Sequence, residues 1–501
     1  MSNEAIAPRG FRLRDMIRHG AEPPPVGFVI GKPWYPWLIV GVTCIGAFIG
    51  QLDASIVQLA LPALGRVFAA RLSSVSWVSL AYLLAFASSL PISSRLCEMF
   101  GRKLLYLIGF LLFAMASALC GAAGSLGWLI AFRVAQGIGG GMLGANSVSI
   151  LVKAVDPAQR ARAMGIFAAA QAVGVSAGPV VGGLLLGALG WRWVFWVAVP
   201  FGAAAAVLGW LVLPQTVGLA RGKTFDWRGA LLLAPALTLL VMALNQVTSW
   251  GPTSPALLGA VAVGLVLLAL LVRQERGLDS PLVNLWLLRE KAYAGGIVAV
   301  VMGYAMLYGM FFMMSFALVR GYHDSPQAAG LRLAIIPVAI GIVAPFSGAL
   351  ANRVGARLLA VAGMAVCLAA LLLMALVADD PGAGRLLGMA AMALFGTGLG
   401  LFIAPNNTAT VDAVPAAYSG EAGGMLNLMR VIGTSLGVAG ASAVLAWRLQ
   451  AMTGSSDDRA VFTGQPIMDA VESSLVMLAA FALIAAVASL VRSAPAPQRA
   501  G

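Results

Sequence analysis

The chain has 501 residues, 60% of them hydrophobic and only 10% charged, with a mean hydropathy of +0.92. Soluble domains carry about 25% charged residues, so a soluble globular protein is excluded. The formal net charge of +13 would suit nucleic acid only as a clustered basic face or tail. Here Lys and Arg are dispersed among short loops, and no nucleic-acid partner is expected.

In chain order, residues 1–36 are polar, basic and Pro-rich, without the apolar core of a cleavable signal peptide. Within them FRLRDMIRHG, residues 11–20, reads equally as a short amphipathic helix on an anionic leaflet or as a basic tail. Apolar runs long enough to cross a hydrocarbon core of about 30 Å follow. Six are predicted at 37–61, 75–96, 103–122, 127–152, 161–188 and 193–213. Two shorter ones lie at 227–247 and 255–273. Six more lie at 292–319, 327–351, 356–378, 384–411, 420–447 and 470–491, before a short tail from 492. The predicted organisation is an N-terminal segment (1–36), a six-helix half (37–213), two extra helices with linkers (214–291), a second six-helix half (292–491) and a tail (492–501).

An even span count puts both termini on one side. With the N-terminus inside, 22 of the 32 Lys and Arg fall on the inner side and 8 on the outer, which by the positive-inside rule predicts cytoplasmic termini. Cys44, Cys97, Cys120 and Cys367 lie in or beside apolar runs without redox or metal-ligand spacing. They are expected to be reduced packing residues, and no metal site is expected.

An internal repeat is visible. SRLCEMFGRK (94–103) aligns with GALANRVGAR (348–357), 254 residues later, pairing Leu96 with Leu350, Gly101 with Gly355 and Lys103 with Arg357. A parallel repeat of two six-span halves is a known transporter plan, with the substrate site near the midplane between them. Gly101 and Gly355 would make tight turns. Glu98, Arg102, Lys103 and Arg353 would supply charges able to lock against a neighbouring helix in one conformational state.

The first of these loops resembles the cytoplasmic signature of the major facilitator superfamily, Gly-x-Leu-Ala-Asp-Arg-x-Gly-Arg-Lys. It departs at Ser94, Glu98 and Met99, and in the second copy Asn352 replaces the acid. GVSAGPVVGG (174–183) is similar to the fifth-helix signature of that superfamily's antiporters. Its Gly174, Gly178 and Gly182 recur on one helix face that admits close approach, and Pro179 removes a helix hydrogen bond. LIAFRVAQGIGGG (129–141) resembles the fourth-helix motif whose Arg lies in the translocation region. LDASIVQLALP (52–62) resembles the first-helix signature of the fourteen-span drug:proton antiporters, and WRWVFWVAVPFG, APNNTATVDAVP and GMLNLMRVIG also look like that group.

The resemblance implies an all-α polytopic fold of two six-helix halves plus two inserted central helices in the inner (plasma) membrane. It further implies proton-coupled secondary active efflux of amphipathic small molecules by alternating access, with the proton gradient as energy source and no cofactor. Some such relatives pass substrate to a periplasmic adaptor and an outer-membrane channel.

Of 19 acidic residues, Asp53 is the only one well inside a predicted span. Burial favours the neutral form of a carboxyl group and a nearby cation the charged form, so Asp53 is expected to exchange protons. Arg133 is costly in a span unless it faces a partner or a wet cavity, and is expected to tune Asp53. The bland alternatives are a capped acid and an arginine paired with backbone carbonyls.

Candidate substrate liners are Gln51, Gln58, Gln136, Asn146, Gln171, Asn406 and Asn427. VMGYAMLYGMFFMMSF (301–316) adds Tyr304, Tyr308 and Met306. Methionine surfaces adapt to varied apolar ligands, although lipid-facing or core packing accounts for the stripe equally well. The later spans hold no second deep carboxylate, which weakens a case for dications. A membrane enzyme would need a nucleophile and base or metal ligands near one face, and His19 and His323, the only histidines, fall in the tail and a loop. Export of an endogenous metabolite, lipid or siderophore on the same fold is the competing reading within transport.

Overall fold

A computed structural model describes residues 22–216, 226–276, 284–377, 383–415, 418–453 and 465–490. The segment at 11–20 and the tail from 492 lie outside them. Among the described residues, fourteen helices are long and apolar enough to cross a membrane. They are α1 (Tyr35–Val67), α2 (Leu72–Phe100), α3 (Arg102–Ala122), α4 (Leu126–Ala154), α5 (Pro157–Ala188), α6 (Arg192–Val212), α7 (Trp227–Trp250) and α8 (Pro255–Glu275). Then come α9 (Lys291–Gly321), α10 (Pro326–Val354), α11 (Ala356–Val377), α12 (Leu386–Val411), α13 (Ser419–Met452) and α14 (Pro466–Leu490). Helix α1 runs past Pro62 to Val67, beyond the predicted end at 61, because a proline costs one backbone N–H without ending a helix that its neighbours hold.

The spans form two six-helix halves with two inserted helices. In the first half α1 packs on α5, α4 on α2 and α3, and α3 on α6; in the second, α9 packs on α13 and α14, and α12 on α10 and α11. The halves meet at α1 with α9, α2 with α13 and α5 with α10. Advancing each first-half helix by eight turns the α2–α13 contact into α10–α5, the pairing a parallel repeat demands. Both repeat loops turn on glycines at positive φ, +107° at Gly101 and +90° at Gly355, a region side chains rarely adopt. Inserted helix α7 packs on α8 and reaches both halves. Asn245 Nδ2 donates to Ser76 Oγ at 2.8 Å, and Thr248 Oγ1 to the Ala443 carbonyl at 3.2 Å.

In lipid, helices associate through close packing rather than apolar burial, and the glycines of α5 serve that on two faces. Gly174, Gly178 and Gly182 face α1, where a Cβ at Gly174 would lie 2.6 Å from the Phe48 carbonyl oxygen. Gly183 and Gly187 face α10 of the other half, against Pro326, Gln327 and Gly330.

Candidate functional site

A cavity of about 1820 Å³ lies between the halves. Gln51 of α1, Tyr82 of α2 and Gln171 of α5 line it from one half, and Tyr304, Tyr308, Asn427 and Arg430 from the other. Its mouth lies where Arg95, Glu98, Arg102, Arg289 and Glu421 gather. The opposite end is shut by the α5–α10 glycine contact and by Arg320 of α9, whose Nη2 donates to the Pro62 carbonyl at 3.0 Å.

Beside the cavity floor is a buried ring of polar groups. Asp53 is 2% exposed, and Arg133 and Gln136 are fully buried. Arg133 Nη1 donates to Asp53 Oδ2 at 2.6 Å and to Gln136 Oε1 at 2.7 Å. Gln136 Nε2 donates to Asp53 Oδ1 and to Ser117 Oγ, both at 2.8 Å. Arg133 Nε donates to the Val78 carbonyl at 2.8 Å, and the guanidinium lies 4.2 Å from the Tyr82 ring centroid. Both carboxylate oxygens therefore hold a donor, as a buried charge must to be tolerated. Tyr82 is at once the arginine's aromatic face and part of the cavity wall, so one ring separates the ion pair from the space.

Local sequence explains this placement. Arg133 and Gln136 lie one turn apart on α4, and the glycines that follow draw α4 against its neighbours. A Cβ at Gly139 would meet the Phe113 backbone of α3 at 2.8 Å, and one at Gly137 would strike the Tyr82 carbonyl of α2. The guanidinium is thereby brought across to α1.

Several expected liners lie elsewhere. Gln136 belongs to the ring, not to the cavity wall. Gln58 shares a helix face with Gln51 but sits beyond the cavity's end, buried, its Nε2 donating to Ser79 Oγ at 2.8 Å. Asn146 is buried between α4 and α2, donating to Cys97 Sγ at 2.6 Å and to the Met142 carbonyl at 2.8 Å. Asn406 is buried with Nδ2 3.4 Å from the Gly296 carbonyl. Met306 is fully buried in the core; two residues from Tyr304 and Tyr308, it points to the other side of α9. Gln51, Gln171, Tyr304, Tyr308 and Asn427 do line the cavity.

In the first signature loop Glu98 pairs with Arg95 of its own helix at 2.7 Å rather than with a neighbouring helix. Lys103 is buried, its Nζ donating to the Leu213 carbonyl at 2.6 Å. Glu22, from the segment before α1, accepts from the Leu104 N–H at 3.2 Å, from Thr216 Oγ1 at 2.9 Å and from the Thr216 N–H. A Cβ at Gly101 would strike its carboxylate. In the second copy Arg353, Gly355 and Arg357 are exposed, with no such strap among the described residues. Glu22, Ser117, Tyr82 and Arg430 were absent from the expected site. Only Arg430, a charge inside a span, carried a signal in the sequence.

Comparison with known proteins agrees with this architecture. Residues 43–438 match the family model described as Major Facilitator Superfamily. Multidrug resistance protein Stp of Mycobacterium tuberculosis is 34% identical over 422 residues, which cover 84% of this chain and 78% of that protein. Riboflavin transporter RibZ of Clostridioides difficile is 31% identical, covering 82% of this chain and 89% of its own. A solved bacterial homolog of the human lysosomal transporter Spinster, inward-facing and unoccupied, superposes with a TM-score of 0.67 at 16% identity, covering 93% of this chain and all of that one. Fourteen apolar helices in two related halves, a cavity between them and a match across most of its length lead to one conclusion: the chain is a multi-pass membrane transporter of the Major Facilitator Superfamily.

Proposed function

We propose that the protein is a proton-coupled exporter of amphipathic small molecules, working by alternating access with Asp53 as the proton site. The observation that carries this reading is the Asp53–Arg133–Gln136 ring, buried beside the central cavity. With the termini cytoplasmic, as the Lys/Arg bias favours, the cavity opens to the cytoplasm and its shut end faces outward.

In this state Asp53 accepts at both oxygens, an arrangement suited to the ionised carboxylate. A proton arriving on Asp53 takes one acceptor from the ring, so Arg133 or Gln136 must let go. Tyr82 then relays the change, because it packs on Arg133 and also bounds the substrate space. Protonation and substrate binding thereby weaken one another, and by linkage each does so to the same extent. Substrate enters from the cytoplasm with the ring closed. After the halves rock, a proton from outside opens the ring and favours release. The return restores the ring and delivers the proton inside. The proton gradient is the energy source and no cofactor is required.

The test is transport in proteoliposomes under an imposed pH gradient with a substrate panel. Asp53→Asn is expected to lose pH-driven efflux at least tenfold, and full pH-driven efflux by that variant would end the proposal. A second reading, transport of a cell metabolite on the same machinery, is favoured by the relative named as a riboflavin transporter, so the panel includes riboflavin beside dyes and fatty acids. Delivery to a periplasmic adaptor and outer-membrane channel would extend either reading, and co-purification of an adaptor checks it.

A further inference from the structure

Two arginines deep inside spans, Arg133 and Arg430, stand in opposite circumstances. Arg133 has a carboxylate at 2.6 Å. Arg430, eleven residues into α13, lies on the cavity wall with its guanidinium carbon 5.6 Å from the Tyr304 ring centroid. Among the described residues, no carboxylate pairs with it. A cation at this depth is costly unless it faces water or a counter-ion.

The acids on the cavity wall are all at the mouth. Glu98 lies near the end of α2 and is bound to Arg95, Glu275 is the last residue of α8, and Glu421 is in the first turn of α13, holding Asn284 at 2.6 Å. Nine residues of helix separate Glu421 from Arg430, about 13 Å along the axis. Asp53, the acid nearest the cavity floor, is committed to the ring. Among the described residues, the deep cavity therefore carries one uncompensated positive charge. Around it stand flat surfaces, Tyr82, Phe86, Tyr304 and Tyr308, and the amides of Gln51 and Asn427.

We infer that this cavity selects amphipathic organic monoanions, with a carboxylate, sulfonate or phenolate against Arg430 and an aromatic body among the tyrosines. A guanidinium matches such groups with two parallel N–H donors, and an organic cation placed there meets like charge in a poorly screened site. The inference names the substrate class of the transport reading above and rests on it for its function. The binding preference itself needs neither proton coupling nor a direction of transport.

The test is equilibrium binding to the purified full-length protein in neutral detergent, using three probes on one ring system: 2-naphthoate, neutral 2-naphthamide and cationic 2-naphthylmethylammonium. The wild type is expected to bind naphthoate at least tenfold tighter than the cation. Arg430→Gln is expected to weaken naphthoate at least tenfold while leaving naphthamide within about twofold, and Arg430→Lys to keep part of the preference. No naphthoate binding at millimolar concentration, or a cation bound as tightly as the anion, overturns the inference from the wild type alone. So does an Arg430→Gln variant that shifts all three probes equally. Because no gradient is applied, failure here leaves the Asp53 experiment standing, and the reverse is also true.

Discussion

Replacing Arg133 with Met keeps a long side chain against Tyr82 but removes the one cation that, among the described residues, pairs with Asp53. Breaking a buried pair by removing one partner costs about 3–5 kcal/mol. Loss of the donors to Gln136 Oε1 and the Val78 carbonyl adds to that cost. Unfolding titrated with sodium dodecyl sulfate in mixed micelles, wild type against variant, reads the difference. A deficit below about 1 kcal/mol, the range of an exposed ion pair, would refute the reading of Asp53 and Arg133 as a buried pair that holds α1 to α4.

Other outcomes follow from the shut end and from the strap. Gly330→Ala places a methyl group against the Pro179 carbonyl and Gly183, so the α5–α10 contact cannot close. Spin labels on the two helices are expected to report a larger separation at that end, with transport down at least tenfold; an unchanged distance refutes the seal. Glu22→Ala leaves the amides of Leu104 and Thr216 without their acceptor at a cost of about 1–3 kcal/mol. Hydrogen exchange at those amides is expected to quicken by roughly ten- to a hundredfold, and unaltered exchange removes the strap. Gly101→Ala forces a side chain onto φ +107° and into Glu22, so it is expected to lower thermal stability more than Gly355→Ala, whose site is open. Equal losses would place the cost in backbone strain alone.

The spans were legible because a bilayer imposes length and composition on each helix separately, and Asp53 and Arg133 because a charge inside a span is conspicuous one residue at a time. What surrounds them was not. Ser117 and the Val78 carbonyl join the ring only through the crossing of α3 and α2, and neither residue type announces this. Glu22 sits in a polar leader whose composition resembles any tail, yet it caps the first turn of α3. The helical period separates Met306 from Tyr304 and Tyr308, but it cannot say which face meets the cavity, since apolar side chains suit lipid, core and pocket alike. Asn146, Asn406 and Gln58 illustrate the converse: an amide in a span satisfies itself against a neighbouring helix as readily as against a ligand.

The inserted helices bear on how a greasy substrate arrives. Two seams between the halves face the bilayer, α2 against α13 and α5 against α10, and in a twelve-helix molecule they would be equivalent. Here α7 lies along the first, hydrogen-bonded to Ser76 and to Ala443 on its two sides, while among the described residues neither inserted helix packs extensively on α5 or α10. Among the described residues, lipid tails and molecules dissolved among them thus meet one seam covered by an extra helix and the other bare.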